Sequence, residues 1–339
     1  MSRSLQGGLI GCGFFAINHL HGWADARGAD IVALCDRDPA LLKLVGDQFG
    51  IARRYTGAAE MLEAEQLDFV DMATTVASHR PLVELAARSR VTVICQKPSA
   101  RSMDDARAMV AASDAAGVPL MVHENFRLQS AIRAVKALIA SGEIGDVFWG
   151  RVSFRSAYEV FSGQPYLAEG ERFIIEDLGI HALDIARALF GDATSCVART
   201  RRVNPAIKGE DVATMLLGHV GDVTSVVDCS YATIQTVEPL VEVDGTTGTI
   251  RLGQGYGMTV ATRAGHRQVD VSPPVLPGRP APGTTFRKAW PPSSSTGSNA
   301  SPRPRDTETS RSDNLRTLAL VEAAYRSASS GAVIDPGSL

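Results

Sequence analysis

The chain has no run of about 18 consecutive apolar residues, the length a helix needs to cross a bilayer, and no basic-then-apolar secretory pattern near residue 1. Neither membrane spanning nor export is expected. It also lacks dense Lys or Arg interleaved with aromatics, and a formal net charge of −3 gives no electrostatic footprint for nucleic acid. Cysteine is scarce: Cys12, Cys35, Cys95, Cys196 and Cys229 are an odd five without framework spacing, expected to be reduced structural thiols of a cytoplasmic protein. No His, Cys, Asp and Glu cluster has metal-ligand spacing, so no metal is expected. What remains is ordinary globular composition, 45% hydrophobic and 21% charged over 339 residues, enough for two domains with sizeable cores. Small-molecule partners follow.

The first organised feature is the turn after residue 9. Leu9-Ile-Gly-Cys-Gly-Phe-Phe-Ala16 runs an apolar strand into Gly11-x-Gly13-x-x-Ala16, and Asp36 closes the next apolar run, Ile31 to Cys35, about 20 residues on. Read as a nucleotide site, Gly11 permits the tight turn, Gly13 lets the backbone approach a pyrophosphate, and Ala16 lets the next helix pack closely with its N-terminal amides facing the phosphates. Phe14 and Phe15 complete that turn. The alternative is a glycine turn that serves strand-to-helix packing alone. The ordered succession of strand, turn, helix, second strand and acid favours the nucleotide. Asp36 can accept from adenosine ribose hydroxyls and would repel a 2′-phosphate that Arg37 could otherwise hold, so the expected cofactor is NAD.

Apolar runs at Gly8 to Gly11, Ile31 to Cys35, Phe69 to Ala73, Val91 to Cys95 and Leu120 to His123 alternate with helical segments, which predicts a parallel sheet with helices on both faces. After His123 the rhythm changes. Helices are expected at Ser130 to Ser141 and Leu178 to Phe190, the latter ended by Gly191, with an alternating strand at Val147 to Ser156. Short strands within 194–203, 212–220, 223–231, 240–243, 249–252 and 258–262 then indicate an antiparallel sheet. A terminal amphipathic helix, Asn314 to Ala328, is expected to return to the first domain. The fold class expected is α/β: an N-terminal Rossmann parallel sheet over 1–123, an α+β substrate and oligomerisation domain with an open, mainly antiparallel sheet over 124–312, and a C-terminal helix and tail over 313–339.

Between Pro273 and Arg311 periodic apolar residues give way to Pro, Ser, Gly, Thr and Arg. A loop of that length inside a compact domain is suspect. Two readings stand: a flexible insertion, or a stretch within 278–305 translated out of frame. When Thr284 to Ser301 are back-translated with GC-rich codons and each third base is read with the next two, the product is IPQSVAAIQQHWVECL, an amphipathic helical pattern.

The strand Val91 to Cys95 ends in Gln96-Lys97-Pro98, placing an amine at the carboxyl edge of the sheet, where open α/β sheets bind ligands. Farther on, Glu176-Asp177-Leu178-Gly179-Ile180-His181-Ala182-Leu183-Asp184 opens a helix, and Asp177 and His181 lie four apart on one face. The carboxylate could orient the imidazole, or both could touch one ligand. Alternatively Asp177 only caps the helix and His181 is a satisfied core histidine.

Together the glycine turn, Gln96-Lys97-Pro98 and Asp177-x-x-x-His181-x-x-Asp184 resemble the glucose-fructose oxidoreductase, inositol dehydrogenase and MocA family of nicotinamide-dependent sugar oxidoreductases, over residues 5–272 and 308–328. Val122-His-Glu-Asn-Phe-Arg127, Gln164-Pro-Tyr-Leu167, Glu171-Arg-Phe-Ile-Ile175, Val203-Asn-Pro205 with Gly209-Glu-Asp211, and Ser312-Asp-Asn-Leu-Arg-Thr-Leu318 are similar to the branch of that family that oxidises D-apiose to its lactone with NAD. In that branch an Ile-Gln…Ile-Gln-x-His-Trp-Val helix occupies the place of the anomalous segment, and the shifted-frame peptide resembles it.

The resemblance implies roles. Lys97 would contact the nicotinamide ribose and the substrate hydroxyl, with Asp177 and His181 as the acid/base pair. Gln96, Thr74, Thr75, His79 and Asn125 would lie along the cofactor, and Arg127, Arg155 and Gln164 would join Lys97, Asp177 and His181 at the sugar. His79 could equally be a surface residue at a helix start. Gln96 departs from the family's usual Glu, which removes a charge beside Lys97. A dimer or tetramer is implied. Open alternatives are a dehydrogenase of another aldose or inositol-like polyol, and a catalytically weak NAD-binding sensor.

Overall fold

Six strands in the first part of the chain are all parallel: β1 (Leu5–Ile10), β2 (Ala29–Cys35), β3 (Arg53–Tyr55), β4 (Phe69–Met72), β5 (Thr92–Cys95) and β6 (Leu120–Val122), ordered β3-β2-β1-β4-β5-β6. These belong to a computed structural model that describes residues 3–235, 240–273 and 308–339. The described residues fall into two compact units, 3–124 with 308–315, and 125–235, 240–273 with 316–339. The segment within 278–305 considered for a shifted frame lies outside the described residues.

In the first unit the strands alternate with helices α1 (Ala16–Asp25), α2 (Pro39–Phe49), α3 (Ala58–Ala64), α4 (His79–Arg88) and α5 (Met103–Ala116). Helix boundaries follow local chemistry. Asp38 accepts from the amides of Ala40 and Leu41 ahead of Pro39 and α2, and Gly50 ends it at φ 69°. Ser102 caps α5 through the Asp105 amide, and Gly117 closes it in the left-handed region. β3 has no sequence signal, since Arg53-Arg-Tyr55 has no apolar run; it forms as a three-residue edge strand. Strand order reverses between β1 and β4, and the loops leaving their carboxyl ends carry Gly11 to Phe15 and Thr74 to Thr75.

The second unit is built on eight strands: β7 (Val147–Arg155), β8 (Ala193–Arg201), β9 (Val212–His219), β10 (Thr224–Ser230), β11 (Val241–Gly245), β12 (Gly248–Leu252), β13 (Gly257–Thr262) and β14 (Gly265–Asp270). Their order is β14-β13-β12-β11-β7-β10-β9-β8, antiparallel throughout except for the β7 and β10 pair. β14 was missed because Gly-His-Arg-Gln-Val-Asp carries almost no apolar signal and lies at an edge. One face packs against α6 (Ser130–Ala140) and α7 (Ile180–Phe190) through Ile132, Val135, Leu183, Ile185, Met215, Val227 and Val243.

The terminal helix α8 (Arg311–Ser330) corrects an expectation. Residues 311–315 belong to the first unit, but the remainder belongs to the second, because Leu320, Val321, Ala323 and Ala324 are buried in the second unit's core. No helix among the described residues is long and apolar enough to cross a membrane.

Candidate active site

In the first unit the two fingerprint glycines are needed for different reasons. Gly11 sits at φ 95°, and a Cβ there would lie 2.6 Å from the Ala73 carbonyl oxygen and 2.9 Å from Thr74 Cγ2. The turn and the close approach of the post-β4 loop both demand glycine. At Gly13 a Cβ would meet nothing within 4 Å. The protein itself has no packing reason for glycine there, whereas a pyrophosphate approaching the backbone does. Ala16 is fully buried and α1 opens without a side-chain cap, so its first amides suit an anion. Phe14 is 58% exposed, while Phe15 packs edge-on against His19.

Asp36 stands beside this turn. Its Oδ2 accepts from the Cys12 amide at 2.7 Å and its Oδ1 from the Asp38 amide at 2.9 Å. A carboxylate has about four lone-pair sites, so two backbone bonds leave acceptor capacity for ribose hydroxyls. Arg37 is exposed. The residues therefore fit a dinucleotide.

Thr74 and Thr75 follow β4, with the Ser78 hydroxyl donating to Thr74 Oγ1 at 2.8 Å and Thr75 exposed. His79 opens α4 and is buried, which excludes the surface alternative. Its Nδ1 lies 3.1 Å from the carbonyls of Pro98 and Ser99, and its Nε2 lies 3.1 Å from that of Thr74. The imidazole thus ties the post-β4 loop to the Lys97 turn, and burial pushes its pKa below the ordinary value. Lys97 follows β5 and is half-buried, and its amide donates to Gln96 Oε1 at 2.6 Å. Ser99 donates to Asn314 Oδ1 at 2.9 Å, which gives the Ser312 to Leu318 motif its role in this unit.

In the second unit Asp177 is not a helix cap. A π-helical turn, Ile175–Gly179, precedes α7 and carries Asp177 at its middle, so the helix starts earlier than the expected Leu178. π turns are rare and recur at functional sites. His181 is buried and stacks on Phe126, ring centroids 4.0 Å apart and 6° from parallel. The Tyr231 hydroxyl, just past β10, hydrogen-bonds Asp177; burial, then the Asp177 charge, push the tyrosine's pKa up. Tyr231 and Phe126 were not found from sequence, because nothing in spacing links them to a motif 54 and 55 residues away.

Glu210 anchors this turn. Its Oε1 accepts from the amides of Phe173 (3.2 Å) and Ile175 (3.3 Å) and from the Tyr325 hydroxyl (2.8 Å), and its carbonyl accepts from Ile174. Gly209 must be glycine here, since a Cβ would come within 2.9 Å of the Gly170 carbonyl and of Phe173 Cβ. Asp211 accepts from the amides of Val203 and Asn204, closing the loop between the two motif segments.

Asn125 and Arg127 flank Phe126. Arg127 is buried with its Nε and Nη2 committed to Asp184, whose Oδ1 also accepts from Thr317. Those two guanidinium nitrogens hold the Asp184 carboxylate. Gln164 Oε1 accepts from the Tyr166 hydroxyl, and Arg155 ends β7, half-buried. Among the described residues no group of three His, Cys, Asp or Glu side chains could hold a metal ion.

Residues 5–124 match the family model described as oxidoreductase family, NAD-binding Rossmann fold, and residues 132–251 match the GFO/IDH/MocA C-terminal domain. The chain is 56% identical to a D-apiose dehydrogenase of Rhizobium rhizogenes over 346 aligned positions, covering 99% of this chain and 98% of that protein. It is also 56% identical to a D-apiose dehydrogenase of Paraburkholderia graminis, covering 99% of this chain and 91% of that one. Among solved structures, an oxidoreductase from Agrobacterium radiobacter in complex with NAD+, L-tartaric acid and magnesium superposes with a TM-score of 0.91 at 55% identity, covering 99% of both chains. With both halves matched and near-complete coverage by such relatives, this chain belongs to the Gfo/Idh/MocA family of oxidoreductases.

Proposed function

We propose that the protein is an NAD-dependent dehydrogenase that oxidises D-apiose at its anomeric carbon to the lactone. The observation that carries this reading is the 56% identity, over essentially the whole chain, to two D-apiose dehydrogenases. Lys97, Asp177 and His181 are the catalytic residues of the proposal. When bound, NAD supplies the hydride acceptor. His181 takes the proton from the anomeric hydroxyl, a role suited to an imidazole held face-on to Phe126 and shielded from bulk water. Asp177, itself held by Tyr231, orients that imidazole. Lys97 stabilises negative charge on the sugar oxygen. Gly11, Gly13, Ala16 and Asp36 hold the nucleotide, and Gln164 and Arg155 serve sugar specificity.

The same reading places the protein in the cytoplasm, supported by five buried thiols outside any disulfide. It is a homo-oligomer in this proposal. Met215 and Leu217 face the core, so Leu216 between them points from the opposite face of the sheet, 48% exposed, where a second copy would cover it.

The test is NADH formation by purified protein with a panel of aldoses and polyols, NAD and NADP in turn. Preference for D-apiose with NAD is the expected result. Preference for another aldose or an inositol-like polyol would replace the substrate, and NAD binding without turnover on any sugar would overturn the enzymatic reading in favour of a sensor.

A further inference from the structure

A chain of buried polar groups runs behind Lys97 in the first unit. Asp71, in the middle of β4, is 1% exposed; its Oδ2 lies 2.8 Å from His19 Nδ1 and accepts from Trp23 Nε1 at 2.7 Å. The other nitrogen of His19, Nε2, lies 3.0 Å from Gln96 Nε2, and Gln96 Oε1 accepts from the Lys97 amide at 2.6 Å. His19 is fully buried and Gln96 is 8% exposed.

The protons in this chain can be assigned by elimination. A backbone N–H can only donate, so the Gln96 atom facing it at 2.6 Å is the oxygen. Its amide nitrogen, two N–H donors and no acceptor, then faces His19 Nε2, which must present a lone pair. His19 is therefore neutral, with its proton on Nδ1 directed at the Asp71 carboxylate. Each proton in the sequence Asp71, His19, Gln96, Lys97 then has one allowed place.

We propose that Asp71, His19 and Gln96 are positioning residues for Lys97: a neutral relay whose single permitted hydrogen-bond polarity fixes the Lys97 turn. The proposal rests on Lys97 being catalytic. It also accounts for the amide at position 96, because a carboxylate there would turn a lone pair toward His19 Nε2. A proton would then be drawn onto the imidazole, leaving the net charge of the three side chains at −1, as before.

Two measurements test this. Nitrogen-15 NMR of histidine-labelled wild-type protein should show His19 as the neutral Nδ1–H tautomer at neutral pH. An Nε2–H or imidazolium form would overturn the relay whatever the enzyme does. The second compares kcat, KM and NAD affinity in Gln96→Leu and Gln96→Glu.

Gln96→Leu should lower kcat about tenfold or more with NAD affinity within a few-fold. Gln96→Glu, which keeps an oxygen acceptor for the Lys97 amide, should recover much of that loss. The groups facing His19 include Asp71, His123 with ring centroids 4.8 Å away, Trp23 through the shared Asp71 oxygen, Phe15, and Gln96. Cys95 lies beside the network, its thiol pushed up chiefly by burial and then by Asp71. Unchanged kcat in both variants would overturn the positioning role. Loss of kcat in Lys97→Ala alongside it would leave the catalytic reading standing, whereas an active Lys97→Ala would remove that reading and the NMR result would still judge the relay.

Discussion

At the scale of the residue, chemistry and nucleotide binding should separate cleanly by substitution. Lys97 is half-buried at a strand's carboxyl end and His181 is buried against Phe126, and neither is part of the glycine turn or the Asp36 contacts. We expect Lys97→Ala and His181→Ala each to lower kcat by about 100-fold or more, the usual scale for a lost proton-transfer or charge-stabilising group, with NAD affinity within a few-fold. Asp36→Ala should do the reverse. It removes acceptors for the ribose and for the Cys12 and Asp38 amides, so NAD binding should weaken about tenfold while rejection of NADP relaxes. Steady-state kinetics with both cofactors and calorimetric NAD titration check all three variants. Unaltered turnover in either of the first two, or an unaltered cofactor ratio in the third, would remove that residue from its role. The glycines, Lys97, Asp177 and His181 could be read from the sequence because each sits inside a short motif. The partners that act on them could not: Tyr231, Phe126 and Asp71 reach them only through the fold.

At the scale of the element, the turn carrying Asp177 is held at its start by Glu210, not by a local cap. One carboxylate oxygen takes two amides of residues 173–175 and the Tyr325 hydroxyl, at 9% exposure, so its removal strands three donors. Glu210→Ala should cost about 3 kcal/mol, and Glu210→Gln, which keeps an acceptor oxygen, about 1 kcal/mol. Activity should fall in the same order, since the π turn that places Asp177 begins here. Denaturant melts and kcat for the two variants check it; equal stability in both would mean that the amides find other acceptors. The Gly209-Glu-Asp211 segment could be singled out from sequence only by resemblance, because its work is done across 35 to 37 residues of chain on the segment before Asp177. Helix and strand identities were legible where apolar periodicity was strong. β3 and β14, polar edge strands, gave no such signal.

At the scale of the whole molecule, the parallel sheet and the mainly antiparallel sheet were legible from the rhythm of apolar runs. The ownership of α8 was not: its amphipathic pattern says that one face is buried without saying against which unit. The five cysteines, distributed over both units, give a global measure of packing that needs no substrate. All are buried and free. Burial chiefly raises the Cys35 thiol to about 11 and Cys12 and Cys196 to about 12, from an ordinary 9.0, with Cys95 and Cys229 also pushed up by burial. A folded pKa above the unfolded one means that the folded chain holds the proton more tightly. The associated stability is complete below pH 9.0 and is lost as pH rises from there through about 11 and 12. We therefore expect a melting temperature that is flat from neutral pH to about 8, then declines steadily above about 9. A thiol reagent at pH about 8 should label none of the five until the chain unfolds. Rapid labelling of one cysteine in the native protein would show its surroundings open to solvent, and a melting temperature that stayed level above the thiol range would show that burial does not hold these protons.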